Sequence, residues 1–204
     1  MLKKVIYLNP GHFNQDPGAS GNGLIERDET IKIAELLVPK LREYFEVHIC
    51  SNDKNLQASV KWVNSLAKSL NSGLALSLHL NSMGGTGAEC FYYDWSIKGR
   101  SMAKKLIAKY CEITGIKTRG AKPDRQSVNK YLWWVKKTNP WALLLEMCFI
   151  DNKADTDYFR NNREQVAEGI YRGVLAIYNI KEKVEIKKKI IQNLREAERL
   201  LAFT

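Results

Sequence analysis

Leu74-Ala75-Leu76-Ser77-Leu78-His79-Leu80 is an apolar run broken only by one serine and one histidine. A strand with one wet face alternates apolar and polar residues. A run that is apolar at both parities therefore fits a strand covered by helices on both faces of a sheet. Upstream, residues 5–9 read as a first central strand stopped by Pro10-Gly11, and residues 11–23 as a long polar loop. Residues 29–44 place Ile33, Leu36, Leu37, Leu41 and Tyr44 near helical spacing, with Asp28 as cap and Pro39 as a bend. Residues 46–50 read as a strand and 56–70 as a helix with one apolar face. Downstream come a strand at 87–93, a helix at 97–113 ended by Gly115, and a basic loop at 117–130. Strands at 131–135 and 142–147 and a closing helix at 166–178 complete the pattern. This alternation predicts an α/β fold: a twisted, mostly parallel sheet of about six strands with helices on both faces. Ligands then collect outside the carboxyl ends of the strands.

With 204 residues and 45% apolar content, the chain suits one medium domain whose core needs neither a disulfide nor a metal to fold. Thirty-two Lys and Arg against 22 Asp and Glu give a formal charge of +10, which favours an anionic partner. Nucleic acid, acidic lipid and anionic cell-wall polymer all qualify, and charge alone does not choose. Cys50, Cys90, Cys111 and Cys148 lack C-x-x-C spacing and read as reduced core thiols. The basic start is followed by only four apolar residues, Val5 to Leu8. That predicts neither a signal peptide nor a transmembrane segment, so synthesis in the cytoplasm is expected.

Four polar residues gather at the expected rim. His12 follows the first strand, His79 closes the third, Glu146 ends the last, and Glu26 sits immediately before the first helix. Two imidazoles and one carboxylate are a common ligand set for catalytic zinc, and a second carboxylate can take a proton from water. Each residue also has an ordinary reading: His79 as a satisfied histidine at a strand end, His12 and Glu26 as polar loop residues. Glu146 is harder to dismiss, because a carboxylate between Leu143-Leu144-Leu145 and Met147 is costly to bury without an ion or donor. His48, at alternating spacing in its segment, reads as structural. No H-E-x-x-H signature is present, so the residues alone leave a zinc hydrolase as one open reading.

Three segments carry a resemblance. They are Leu8-Asn9-Pro10-Gly11-His12 with Asp16, Gly18-Ala19, Gly21 and Gly23-Leu24-Ile25-Glu26; Ser77-Leu78-His79-Leu80-Asn81-Ser82 with Gly87 and Glu89; and Pro140-Trp141-Ala142-Leu143-Leu144-Leu145-Glu146 with Phe149-Ile150 and Asn152. In this order the chain resembles the zinc-dependent N-acetylmuramoyl-L-alanine amidases of type 3, found in autolysins, sporulation lysins and phage endolysins. The resemblance implies one Zn2+ held by His12, Glu26 and His79, with Glu146 as the catalytic acid-base. It also implies hydrolysis of the amide between N-acetylmuramic acid and L-alanine, with peptidoglycan as the partner. Three positions depart from the pattern. Asn9 stands where aspartate is usual, so an amide is expected to support the His12 region. Phe13 and Cys148 replace glycines, and Cys148 raises the question of a thiolate ligand although the expected set is already complete.

Around this site, Arg119, Lys122 and Arg125 suit either the carboxylates of a stem peptide or a solvated basic loop. Trp133, Trp134 and Trp141 suit a sugar face or, from their place beside strands, core packing. The enzymatic rival is a zinc peptidase or carboxypeptidase cutting within the stem peptide. A nucleic-acid-binding protein is suggested only by charge, without a reading motif, so no specific nucleic acid is expected. An inactive wall-binding relative is the remaining alternative. Action on the wall after release or lysis is expected, with the basic surface favouring anionic cell-wall polymers.

The catalytic domain is expected over residues 1–179 and a tail over 180–204. The tail lacks Gly and Pro and places Ile190, Leu194, Ala197 and Leu201 on one stripe, which predicts a C-terminal amphipathic helix. Docking on the enzyme, self-association and a link toward a wall-targeting region are its three competing uses.

Overall fold

The computed structural model of the protein describes residues 3–67 and 73–181. The chain runs through β1 (Lys4–Pro10), β2 (Ser20–Gly21), β3 (Leu24–Ile25), α1 (Glu26–Arg42), β4 (Phe45–Ile49), α2 (Leu56–Leu66), β5 (Leu74–Asn81) and β6 (Ala88–Tyr92). It continues through α3 (Ile97–Thr114), β7 (Thr118–Pro123), α4 (Trp133–Lys137), β8 (Trp141–Phe149), α5 (Lys153–Asn161) and α6 (Arg163–Ile177). Six strands form one sheet in the order β4-β1-β5-β8-β6-β7, and β2 pairs with β3 apart from it. Four of the pairings in the large sheet are parallel, and only β6 against β8 is antiparallel. The expected α/β architecture is the observed one.

Strand β5 is buried on both faces. Leu74, Leu76, Leu78 and Leu80 join the larger core with Ile33 and Leu37 of α1, Leu106 and Tyr110 of α3, and Ile170 and Val174 of α6. Ala75 points the other way, into a smaller core with Val60 and Val63 of α2 and Trp134 and Val135 of α4. Each large aliphatic side chain removed from water in this way contributes ~1.5–3 kcal/mol. The smaller layer does not extend to the carboxyl ends of the strands. There, Asn9, His79 and Glu146 line an open cleft of about 740 Å³.

Several elements differ from the sequence reading. Residues 131–135 were expected as a strand, but the aromatic run starts helix α4. Both neighbours of β8 are already in place, and the Trp134 indole donates to the Leu143 carbonyl at 3.1 Å, laying the helix across the sheet. The basic loop at 117–130 contains edge strand β7, whose Gly, Pro and charges hide it from an apolar-pattern search. Within the polar loop at 11–23, Asn22 and Gly23 turn the β2–β3 hairpin with φ of 50° and 76°, the Asn-Gly geometry of a tight turn. Helix α5 was not expected; Asn152 caps it by accepting from the Asp155 amide at 3.1 Å. The four cysteines are free thiols, as expected. No helix among the described residues is long and apolar enough to cross a membrane. The expected C-terminal helix, with Ile190, Leu194, Ala197 and Leu201, lies outside the described residues, as does Leu70 at the end of the helix expected over 56–70.

Glu29 fastens α1 to α6. Its buried carboxylate accepts from Arg163 at 2.7 Å and from Lys32 at 2.8 Å. Burial alone would raise its pKa, but the two cations outweigh that and hold it below the ordinary glutamate value. A depressed folded pKa means that the unfolded chain binds more protons. The stabilisation is therefore complete above about pH 5 and lost as pH falls through the folded value. Glu29→Gln should cost on the order of 1–3 kcal/mol at neutral pH. Thermal melts should show its gap from the parent narrowing toward pH 3, and a gap independent of pH would refute the assignment.

Candidate metal centre

His12, Glu26 and His79 come together although they lie on a loop, a helix start and a strand. One ligand atom from each can be chosen so that all lie within 4.8 Å of one another. The focus is Glu26 Oε1, which lies 2.9 Å from His12 Nε2 and 2.9 Å from His79 Nδ1 and accepts from the Leu80 amide at 3.0 Å. Glu26 Oε2 accepts from the Ala19 amide at 3.0 Å, so the carboxylate is held at both oxygens. As the first residue of α1, it also sits where the helix dipole favours negative charge.

Each imidazole is oriented from behind. His12 Nδ1 lies 2.9 Å from Asp16 Oδ2, and Asp16 is itself fixed by the Gly18 amide at 3.1 Å. His79 Nε2 lies 3.1 Å from Ser77 Oγ, which accepts from Asn9 Nδ2 at 2.9 Å. Asn9 thus supports His79 through Ser77, whereas the sequence reading assigned its amide to the His12 region. The physical reason is strand register: Asn9 on β1 pairs with Ser77 on β5, while His12 has left the sheet. Asp16 takes the role on the His12 side.

Burial disfavours a charged His12, but Glu26 and then Asp16 outweigh it and raise the imidazole pKa. Burial likewise acts to raise Glu26, yet the hydrogen bonds to His12 and His79 hold it far below the carboxylate range. The pocket is therefore an electrostatic well for positive charge. Two imidazoles and a carboxylate, each with its outer atoms already engaged, fit one zinc ion.

Glu146 stands beside this cluster in direct strand register with His79, and across β6 it faces Glu89. Its Oε2 is buried and has no hydrogen-bond partner among the described residues. Burial, and then the nearby carboxylates Glu26 and Glu89, push its pKa well above the usual value. A carboxyl in that state gains ionisation from a neighbouring cation.

The surrounding residues sort clearly. Glu89, to which the sequence assigns no role, is buried. Its oxygens accept from Asn81 at 2.8 Å, Arg119 at 2.7 Å and Lys122 at 2.5 Å. Arg119 and Lys122 line the cleft, whereas Arg125 pairs with Asp94 and does not. Trp134 is core, as expected; Trp133 lies partly exposed on the cleft wall against Tyr131, and Trp141 is half-buried. Cys148 packs in the larger core and is not among the cleft-lining residues. His48 stacks on Tyr7 at the sheet's edge, a structural role.

An α/β sandwich whose sheet rim gathers two histidines and a carboxylate beside a second carboxylate defines a zinc hydrolase. Residues 6–176 match the N-acetylmuramoyl-L-alanine amidase family. The protein belongs to that family of zinc-dependent amidases, which act on peptidoglycan. The endolysin of Bacillus phage SPP1 is 29% identical over 192 residues, covering 89% of this chain and 69% of the phage protein. The amidase LytC of Bacillus subtilis is 28% identical over 186 residues, covering 87% of this chain but 36% of LytC. Among solved structures, Cwp6 from Clostridium difficile superposes with a TM-score of 0.74 at 26% identity, over 88% of this chain and 30% of Cwp6.

Gly18 closes against the cluster. Its φ is +70°, and a Cβ there would come within 2.6 Å of the His12 ring and 2.7 Å of Glu26 Oε2. Gly18→Ala should therefore displace His12 and weaken zinc binding by at least ~10-fold, the low end of the cost of disturbing a ligand's support. Competition with a chromophoric chelator measures this; unchanged affinity would show that the loop adjusts freely.

Proposed function

We propose that the protein hydrolyses the amide between the lactyl group of N-acetylmuramic acid and L-alanine, with His12, Glu26 and His79 as the zinc ligands and Glu146 as general base and then acid. The observation that carries the reading is Glu146. A half-buried carboxylate with an unpartnered oxygen, in register with one member of a three-ligand cluster, supports a part in proton transfer over one in holding the fold. Bound zinc would supply electrophilic stabilisation of the carbonyl oxygen and would acidify water.

The protein's own groups do the rest. Glu146 takes a proton as water adds to the lactyl carbonyl carbon, and returns it to the alanine nitrogen as the C–N bond breaks. The products are the lactyl carboxylate and a free alanine amine. Asp16 on one side, and Ser77 with Asn9 on the other, keep His12 and His79 aimed while charge moves. Access to the wall after lysis or release is part of the same proposal, as is retention by anionic wall polymers. The latter rests on the formal charge of +10. Walls stripped of those polymers should be lysed more slowly at low salt, and equal rates would remove the electrostatic element.

Glu146→Gln is the decisive variant. It should retain about one equivalent of zinc while turnover falls by at least ~10²-fold, the low end of what positioned acid-base catalysis supplies. New alanine amino termini released from purified peptidoglycan give the rate. A variant that binds zinc and keeps full turnover would exclude the role.

A further inference from the structure

We propose that Arg119 is a specificity-determining residue that grips a free carboxylate on the peptide part of the substrate through the terminal edge of its guanidinium. This rests on the amidase reading above and extends it along the substrate.

Two contacts fix the guanidinium plane. Its Nε donates to Glu89 Oε2 at 2.7 Å, and its Cζ lies 4.8 Å from the centre of the Phe149 ring. Among the described residues Glu89 is its one hydrogen-bonding and ion-pairing partner, met from the Nε side, which leaves free the far edge of the guanidinium, and the residue lines the cleft. That free edge presents two parallel N–H donors, the geometry that a carboxylate accepts in a bidentate pair. Lys122 is used differently, since its ammonium also rests on Glu89 Oε2. Two cations against one carboxylate leave this wall of the cleft with a single surplus positive charge, which selects an anion over a neutral group.

Position and substrate chemistry then select the anion. Gly120, the residue after Arg119, pairs with Glu89, and Glu89 pairs with Glu146. Strands lie about 4.8 Å apart, so the guanidinium held over Glu89 stands on the order of 5–10 Å to the side of Glu146. An extended peptide advances about 3.3–3.6 Å per residue, which places the gripped group one to three residues from the scissile amide. The lactyl carboxyl is itself tied up in that amide. The nearby negative charge is therefore on the peptide that continues beyond L-alanine.

The test uses N-acetylmuramoyl-L-alanyl-glutamate and the same compound with both glutamate carboxyls converted to carboxamides. The intact protein should cleave the acid with at least ~10-fold higher kcat/KM, mostly through KM, as expected when a charge-assisted pair is lost. Arg119→Gln should bring the ratio to within about twofold of unity, and Arg119→Lys, which keeps charge but not the fork, should fall between. Equal cleavage of the two compounds by the parent overturns the proposal and leaves the amidase reading intact. So does a ratio preserved in Arg119→Gln, while a full ratio in Arg119→Lys overturns the fork. Release of alanine amine from neither compound overturns the amidase reading and this proposal together.

Discussion

The site depends on one carboxylate oxygen. Glu26 Oε1 is shared by two imidazoles and the Leu80 amide, so it ties the loop after β1 and the end of β5 to the start of α1. A buried carboxylate is costly without partners, and Glu26 has partners at both oxygens. The same arrangement that satisfies it concentrates negative potential between two histidine nitrogens. Removing Glu26 would leave the imidazoles aimed by Asp16 and Ser77 but without the negative charge between them. The helix start, the strand end and the ligand geometry are one interaction viewed from three elements.

A second constraint spreads the chemistry along the sheet. His79, Glu146 and Glu89 occupy one rung across β5, β8 and β6. β5 and β8 reach that rung at their carboxyl ends, but β6 runs the other way and contributes Glu89 near its beginning. The reversal is held by Asp155 at the start of α5, whose Oδ2 accepts from the Gly87 and Phe149 amides at 2.8 and 2.9 Å. Its Oδ1 takes the Thr86 hydroxyl at 2.8 Å. Asp155 thus fixes both the entry to β6 and the end of β8, the strands that bring Glu89 and Glu146 face to face. A helix outside the cleft sets the spacing inside it.

What the sequence made legible follows from burial. Strands with apolar residues at both parities, such as β5 and β8, declare that they are covered twice, and polar residues at their ends stand out against that background. His79 and Glu146 could be singled out for this reason. β7 could not, because an edge strand with Arg119, Gly120, Lys122 and Pro123 has no apolar pattern to show. α4 was misread because aromatic residues suit a half-buried pleated surface as well as a short helix pinned by an indole hydrogen bond. The β2–β3 hairpin did carry a signal in Asn22-Gly23. Asn9 was tied to the wrong histidine because proximity in sequence to His12 counted for less than pairing with Ser77 across the sheet.

The two faces of the sheet divide labour in a way that the thermodynamics requires. His12 holds a left-handed backbone at φ 69°, Glu146 keeps an orphaned buried oxygen, and Gly18 is packed where no Cβ fits. Each feature costs stability, and all three gather around the cleft beyond the smaller core. The opposite face carries the larger core, where Leu74, Leu76, Leu78, Leu143 and Leu145 are wholly buried. Because successive residues of a strand alternate between faces, the backbone that presents His79 also buries Leu78 and Leu80 on the other side. Displacing a site residue along its strand would lift its neighbours out of that core. Packing on one face thus supplies the rigidity that the strained, unsatisfied groups on the other need in order to hold their positions.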